Sequence, residues 1–194
     1  MVVLTGMLPA AWLGGIMRLF VALDLPWSLR TQLADLAIGL AGVRWVAPEN
    51  YHITLRFIGE TPAHKAEEID LALSGLRARG FSLELAGVGT TEKAGRVTSL
   101  WVGVARNQQL DFLRGKIDTA LQRAGVPAER RRFVPHVTLA RLDDRALEPR
   151  LANWVQAHNL FRSAPVPVEH FTLFSSLLGK EQAVYTPEVE YALA

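Results

Sequence analysis

The chain contains no cysteine among its 194 residues. That excludes disulfides, thiolate metal sites and cysteine nucleophiles, and it fits a reducing, cytoplasmic setting. A dominant charge is lacking too: 21 Lys and Arg stand against 19 Asp and Glu, a net +2, so net charge predicts no strong nucleic-acid binding. No Gly-x-Ser-x-Gly elbow is present for serine hydrolysis. The glycine-rich "GVGTTEKAG" (87–95) lacks the spacing of a phosphate-cradling Walker loop. No Gly, Ser or Pro run divides the chain into independent domains, and no low-complexity segment occurs. The opening "MVVLTGMLPAAWLGGIM" is apolar, but it has no basic start and is too short to span a bilayer comfortably. Residues 1–16 therefore read as an extension, upstream of a second possible start at Met17, and no membrane association is expected.

What is present is enough apolar sequence, 49%, to bury a core for one domain or two small lobes. "RLFVALDL" (18–25) reads as a strand, and Pro26 opens a helix with Leu29, Leu33, Leu36 and Leu40 at helical spacing and Gly42 as its stop. "VRWV" leads through the turn "APEN" into a strand, "NYHITLRFIGE" (50–60), and Pro62 opens a second helix to about Arg79. Strands "FSLELAGVG" and "VTSLWVGVA" follow around a polar turn "TTEKAGR" (90–96), then a helix over 107–124 ending at Gly125. "RRRFVPHVTLAR" is a basic lead-in to another strand, "LEPRLANWVQAH" a helix, and "VPVEHFTLFSSLL" with "AVYTPEVEYAL" a closing strand pair.

One pattern repeats. Strand, helix, then a His-x-Thr strand occurs over 18–58 and again over 97–141, which suggests two lobes, each supplying one such strand. Residues two apart in a strand share a face, so His52 projects with Thr54, and His136 with Thr138. Two such strands brought together set two imidazoles and two hydroxyls around one small space, a combination suited to a phosphate ester. Threonine hydroxyls donate to non-bridging oxygens, while one imidazole takes a proton from a nucleophile and the other gives one to the leaving oxygen. Histidine suits both tasks because its ordinary pKa is near 6.5. Threonine is a poor transition-metal ligand and the spacing is not that of a His-x-x-x-His helix face, so no metal or other cofactor is expected.

"HFTL" (170–173) is a third match. It lies outside both strand–helix–strand units, and Phe171 and Phe174 beside it suit packing, so His170 is assigned a structural role. Arg130, Arg131 and Arg132, with Arg123 and Arg141 nearby, form a basic stretch that could receive a phosphate backbone. Strand parity gives Arg56 the face of His52 and sends Phe57, a possible base-stacking residue, toward the core. Arg141 falls on the wrong face for the site unless the strand bulges near Ala140.

"RLFVALDLP", "NYHITLRFIGE" and "FVPHVTLAR" together resemble the two-histidine (2H) phosphoesterases, in particular the RNA 2′,3′-cyclic phosphodiesterases, also called 2′-5′ RNA ligases. The resemblance runs from Met17 to the C-terminus. It implies one bilobal α+β domain over 17–194, with two antiparallel-rich sheets facing a central cleft and helices on their outer faces. It also implies hydrolysis of an RNA-terminal 2′,3′-cyclic phosphate to a 2′-phosphate, with His52 as proton donor to the 3′-oxygen and His136 activating water. Thr54 and Thr138 match the phosphate-holding threonines, and Arg141 a phosphate-proximal arginine. A monomer without an obligate protein partner is expected. Ligation of the cyclic end to a 5′-hydroxyl, or RNA-end binding without turnover, are the alternatives.

Overall fold

The computed structural model describes residues 15–142, 148–179 and 183–194. Ten strands and four helices follow in chain order among them: β1 (Ile16–Asp24), α1 (Trp27–Leu36), β2 (Val43–Trp45), β3 (His52–Pro62), α2 (Ala63–Ser74), β4 (Phe81–Leu83), β5 (Leu85–Lys93), β6 (Arg96–Val104), α3 (Gln108–Arg123), β7 (His136–Leu142), α4 (Glu148–His158), β8 (Val166–Val168), β9 (His170–Leu178) and β10 (Ala183–Ala192). Residues 1–14 of the segment expected to be an extension lie outside the described residues, and β1 begins at Ile16.

The class is α+β with antiparallel pairing, as expected, but the two halves of the sheet are joined edge to edge. The strand order is β10-β9-β1-β3-β7-β6-β5, with β2 also paired to β7, and β4 with β8 makes a separate two-stranded sheet. β3 and β7 meet through one pair, Ile53 opposite Val137. Beyond it β3 leaves, and β2 takes the vacated edge of β7, with Val43, Arg44 and Trp45 facing Leu142, Arg141 and Ala140. The halves therefore splay apart just past the bridge.

One face of this sheet carries the core. Ile53 and Val137 are fully buried with Leu19, Val21, Leu23, Val102, Leu139 and Leu173, and the apolar sides of all four helices join the same cluster. Each such aliphatic contributes about 1.5–3 kcal/mol through burial. A smaller cluster of Phe20, Ala22 and Phe174, with Tyr185 packed on it, sits on the opposite face of β1 and β9.

Several expected boundaries moved. α1 stops at Leu36, before the Gly42 stop, and α2 stops at Ser74, where the Gly75 N–H caps the Leu71 and Leu73 carbonyls. The turn expected over 90–96 shrinks to Ala94–Gly95, both at positive φ, so β5 and β6 form a tight hairpin. "FSLELAGVG" breaks at Glu84 because β4 and β5 pair in different sheets. Among the described residues, no helix is long and apolar enough to cross a membrane.

Candidate active site

Opposed residues in an antiparallel pair share a face. Ile53 and Val137 face the core together, so their neighbours His52, Thr54, His136 and Thr138 emerge on the other side of the sheet. The two motifs thus converge, and a diagonal of this kind spans about 7–8 Å between Cα atoms.

Both rings are held alike. The Nδ1 of His52 lies 2.8 Å from the Asn50 carbonyl, and that of His136 lies 2.7 Å from the Val134 carbonyl. A carbonyl only accepts, so Nδ1 carries the proton and donates in each ring. Each ring then turns its Nε2 toward the site. The Nε2 of His52 is 3.1 Å from the Thr54 hydroxyl.

The surroundings differ. His52 is packed among Phe20, Tyr185 and Phe174, with ring centroids 5.1, 5.0 and 6.3 Å away. Burial pushes its imidazole down to about 4, the guanidinium charges of Arg30 and Arg141 add to the shift, and the Asn50 carbonyl and Asp24 oppose it. Asp24 stands opposite His52 on β1 and pairs with buried Arg30. Arg30 also donates to the Pro48 and Glu49 carbonyls, which fixes the turn leading to Asn50 and thereby to His52. Around His136 the ring neighbour is Trp101 at 5.6 Å. Its indole lies across Gly89 on the next strand, where a Cβ would come within 2.4 Å of it.

Two bulges decide what else reaches this face. On β3, Ala22 pairs with Thr54 and the next residue back, Val21, pairs with Arg56, so Leu55 is an extra residue. Leu55 and Arg56 are both buried, which corrects the expectation that Arg56 shares the face of His52. Its guanidinium turns inward to Asp118 at 2.9 Å, too bent for a hydrogen bond, and to Glu129 at 3.6 Å, and it donates to the Pro127 carbonyl. Phe57 is in turn carried onto the site face, 51% exposed and 6.0 Å from Phe20, rather than into the core. On β7, Trp101 pairs with Thr138 and Leu100 with Ala140, so Leu139 is the extra residue. Arg141 therefore returns to the face of His136, as the anticipated bulge requires, and its charge is felt at His52.

Arg44 faces Arg141 across β2 and β7, and both are exposed. Like charges directly opposed are unfavourable unless an anion lies between them. Sequence reading missed Arg44, although its place in "VRWV" before the first motif was a signal. It also missed Trp101, Tyr185 and the Asp24–Arg30 pair. Arg130 and Arg132 are exposed, and Arg131 pairs with Glu129 at 3.1 Å. His170, 40% exposed, lies 4.0 Å from Glu190 on the neighbouring strand.

A concavity of about 990 Å³ lies elsewhere, between α2 and α3. It is lined by Leu71, Phe112, Glu68 and a few cations and holds neither motif histidine. A cavity of about 190 Å³ adjoins His52.

The family model described as LigT-like phosphoesterase matches residues 23–101 and again 102–185, one match for each motif strand. Among curated proteins, an RNA 2′,3′-cyclic phosphodiesterase of Escherichia coli is 33% identical over 183 residues, covering 91% of this chain and 96% of that one. A protein of the same name from Archaeoglobus fulgidus is 30% identical over 172 residues, covering 87% of this chain and 96% of its own length. Among solved structures, E. coli LigT complexed with 3′-AMP superposes with a TM-score of 0.76 at 29% identity, covering 93% of this chain and 99% of that one.

Proposed function

The chain belongs to the LigT-like phosphoesterase family, and from that premise we propose that it hydrolyses an RNA-terminal 2′,3′-cyclic phosphate to a 2′-phosphate without a metal or other cofactor. The observation that carries this reading is the pair of imidazoles on adjacent strands, each turned by a backbone carbonyl so that Nε2 faces the same side of the sheet. A phosphorus atom between them has Thr54 and Thr138 to hold its non-bridging oxygens, with Arg141 to balance its charge.

In this reading His136 takes a proton from water as the new P–O bond forms at the 2′-phosphate. His52 gives a proton to the 3′-oxygen as the P–O3′ bond breaks. Each transfer is worth about 10²–10⁴ in rate. Burial keeps His52 neutral at pH 7, so its donor role requires that the phosphate anion favour the imidazolium on binding. Arg44 beside Arg141, with Arg130 and Arg132, suits the RNA backbone, where contacts give affinity without sequence choice. Phe57 suits stacking of a base. The protein acts as one bilobal domain over 17–194, as a monomer, in the cytoplasm.

The direct test incubates the pure protein with an oligonucleotide ending in a 2′,3′-cyclic phosphate, with EDTA and with or without a 5′-hydroxyl acceptor. The expected result is a 2′-phosphate end, undiminished by the chelator. A joined product that dominates whenever acceptor is present would favour the ligase reading instead. Binding without either product would leave RNA-end recognition.

A further inference from the structure

The third His-x-Thr segment has no part in the chemistry above, yet it lands on the same face. Ala22 pairs with Thr54 on one side and with Thr172 on the other, so both threonines leave the sheet in the same direction, two strands apart. Thr172 is 1% exposed, and its hydroxyl has no hydrogen-bond partner. An orphaned buried hydroxyl costs about 1–3 kcal/mol, so a partner from outside is called for.

Thr172 lines the cavity beside His52, whose walls include Phe174, Tyr185 and, opposite Thr172 on β10, Glu190. Its volume of about 190 Å³ gives room for a small planar group. Among the described residues, no group of three or more His, Asp and Glu is set to hold a metal ion. If His52 serves the 3′-oxygen, the terminal ribose and its base leave the phosphorus on this side. The aromatic walls suit a planar ring. A carboxylate such as that of Glu190 only accepts, so it selects base edges that donate, and guanine offers N1–H and N2–H side by side.

We propose that Thr172 and Glu190, with Phe174 and Tyr185 further along the same two strands, form a subsite for the terminal nucleobase that favours an amino-bearing base, guanine above the others. The inference rests on the phosphodiesterase reading for its orientation.

The test has two arms. The first compares kcat/KM for the 2′,3′-cyclic phosphates of guanosine, adenosine, cytidine and uridine in the wild type, Thr172→Val, Thr172→Ser and Glu190→Gln. The wild type is expected to prefer guanosine to uridine at least tenfold. Thr172→Val and Glu190→Gln each cut that ratio to threefold or less, while Thr172→Ser, which keeps the hydroxyl, retains it. The second arm measures by calorimetry the Kd of guanosine and uridine 2′-monophosphates, which needs no turnover, and the same ratios are expected. Equal use of all four bases by the wild type, or a preference that both substitutions leave intact, overturns the subsite while leaving the hydrolysis reading untouched. A Glu190-dependent preference in binding with no hydrolysis of any base has the opposite meaning: the subsite stands and the reaction falls.

Discussion

The two motif strands use one local device twice. In each, a histidine is oriented by the carbonyl two residues before it, a threonine follows two residues after, and a bulge returns the fifth residue to the site face. On β3 that fifth residue is Phe57, and on β7 it is Arg141. The duplicated backbone therefore carries unlike chemistry: an aromatic, buried half around His52 and a more open half around His136 with paired arginines and one indole. In the proposed reaction, the buried half faces the nucleoside and the open half faces water.

The sharpest way to break this comparison is to remove each imidazole. His52→Ala and His136→Ala are each expected to lower kcat by about 10²–10⁴ on a cyclic-phosphate oligonucleotide, and His170→Ala by less than about tenfold. A substrate with sulfur in place of the 3′-oxygen separates the two roles, because a thiolate leaves without a proton. It should restore His52→Ala to within about tenfold of the wild type and leave His136→Ala inactive; recovery of the other variant would exchange donor and acceptor.

The fifth positions come next. Arg141→Met removes charge-assisted hydrogen bonds to phosphate worth about 1.5–3 kcal/mol, so kcat/KM should fall tenfold or more and its dependence on salt should weaken. Phe57→Leu loses only stacking, about 1 kcal/mol, seen as a several-fold rise in KM with kcat preserved. Equal losses of kcat in both variants would argue that the halves are not specialised as described.

A last effect is on stability rather than on rate. His52 titrates at about 4 in the folded chain and near 6.5 when unfolded. Between those values the unfolded chain binds the extra proton, so folding is favoured by rising pH. The contribution is complete above about pH 6.5 and is lost as pH falls toward 4, on the order of 3 kcal/mol in total. Urea unfolding of the wild type and His52→Gln over pH 4–7 should show a difference that shrinks with acidity; a constant difference would mean that His52 is not buried neutral.

Alternation along "NYHITLRF" and "PHVTLAR" was enough to place His52 with Thr54 and His136 with Thr138, because period two holds until the backbone departs from it. It failed at Arg56 and Phe57 for that reason: a bulge adds one residue, and nothing in the side chains of Leu55 or Arg56 announces it. Arg141 was recoverable only because the same parity conflict was visible there. Helix ends were overextended where Leu40 and Leu76 kept the apolar period beyond the last intrahelical bond. Trp101 and Glu190 were beyond reach, since each matters through a cross-strand neighbour far away in sequence.

The bridge of Ile53 to Val137 works as a gauge. A phosphorus centre has the same dimensions whatever RNA bears it, so a fixed gap at this junction suits the invariant part of every substrate. Each half can then change its walls to suit a different nucleoside or strand without recalibrating the distance between the rings. Conversely, a slip of two residues here would keep all four polar side chains outward and still spoil the fit, since every group would remain in place except relative to its counterpart.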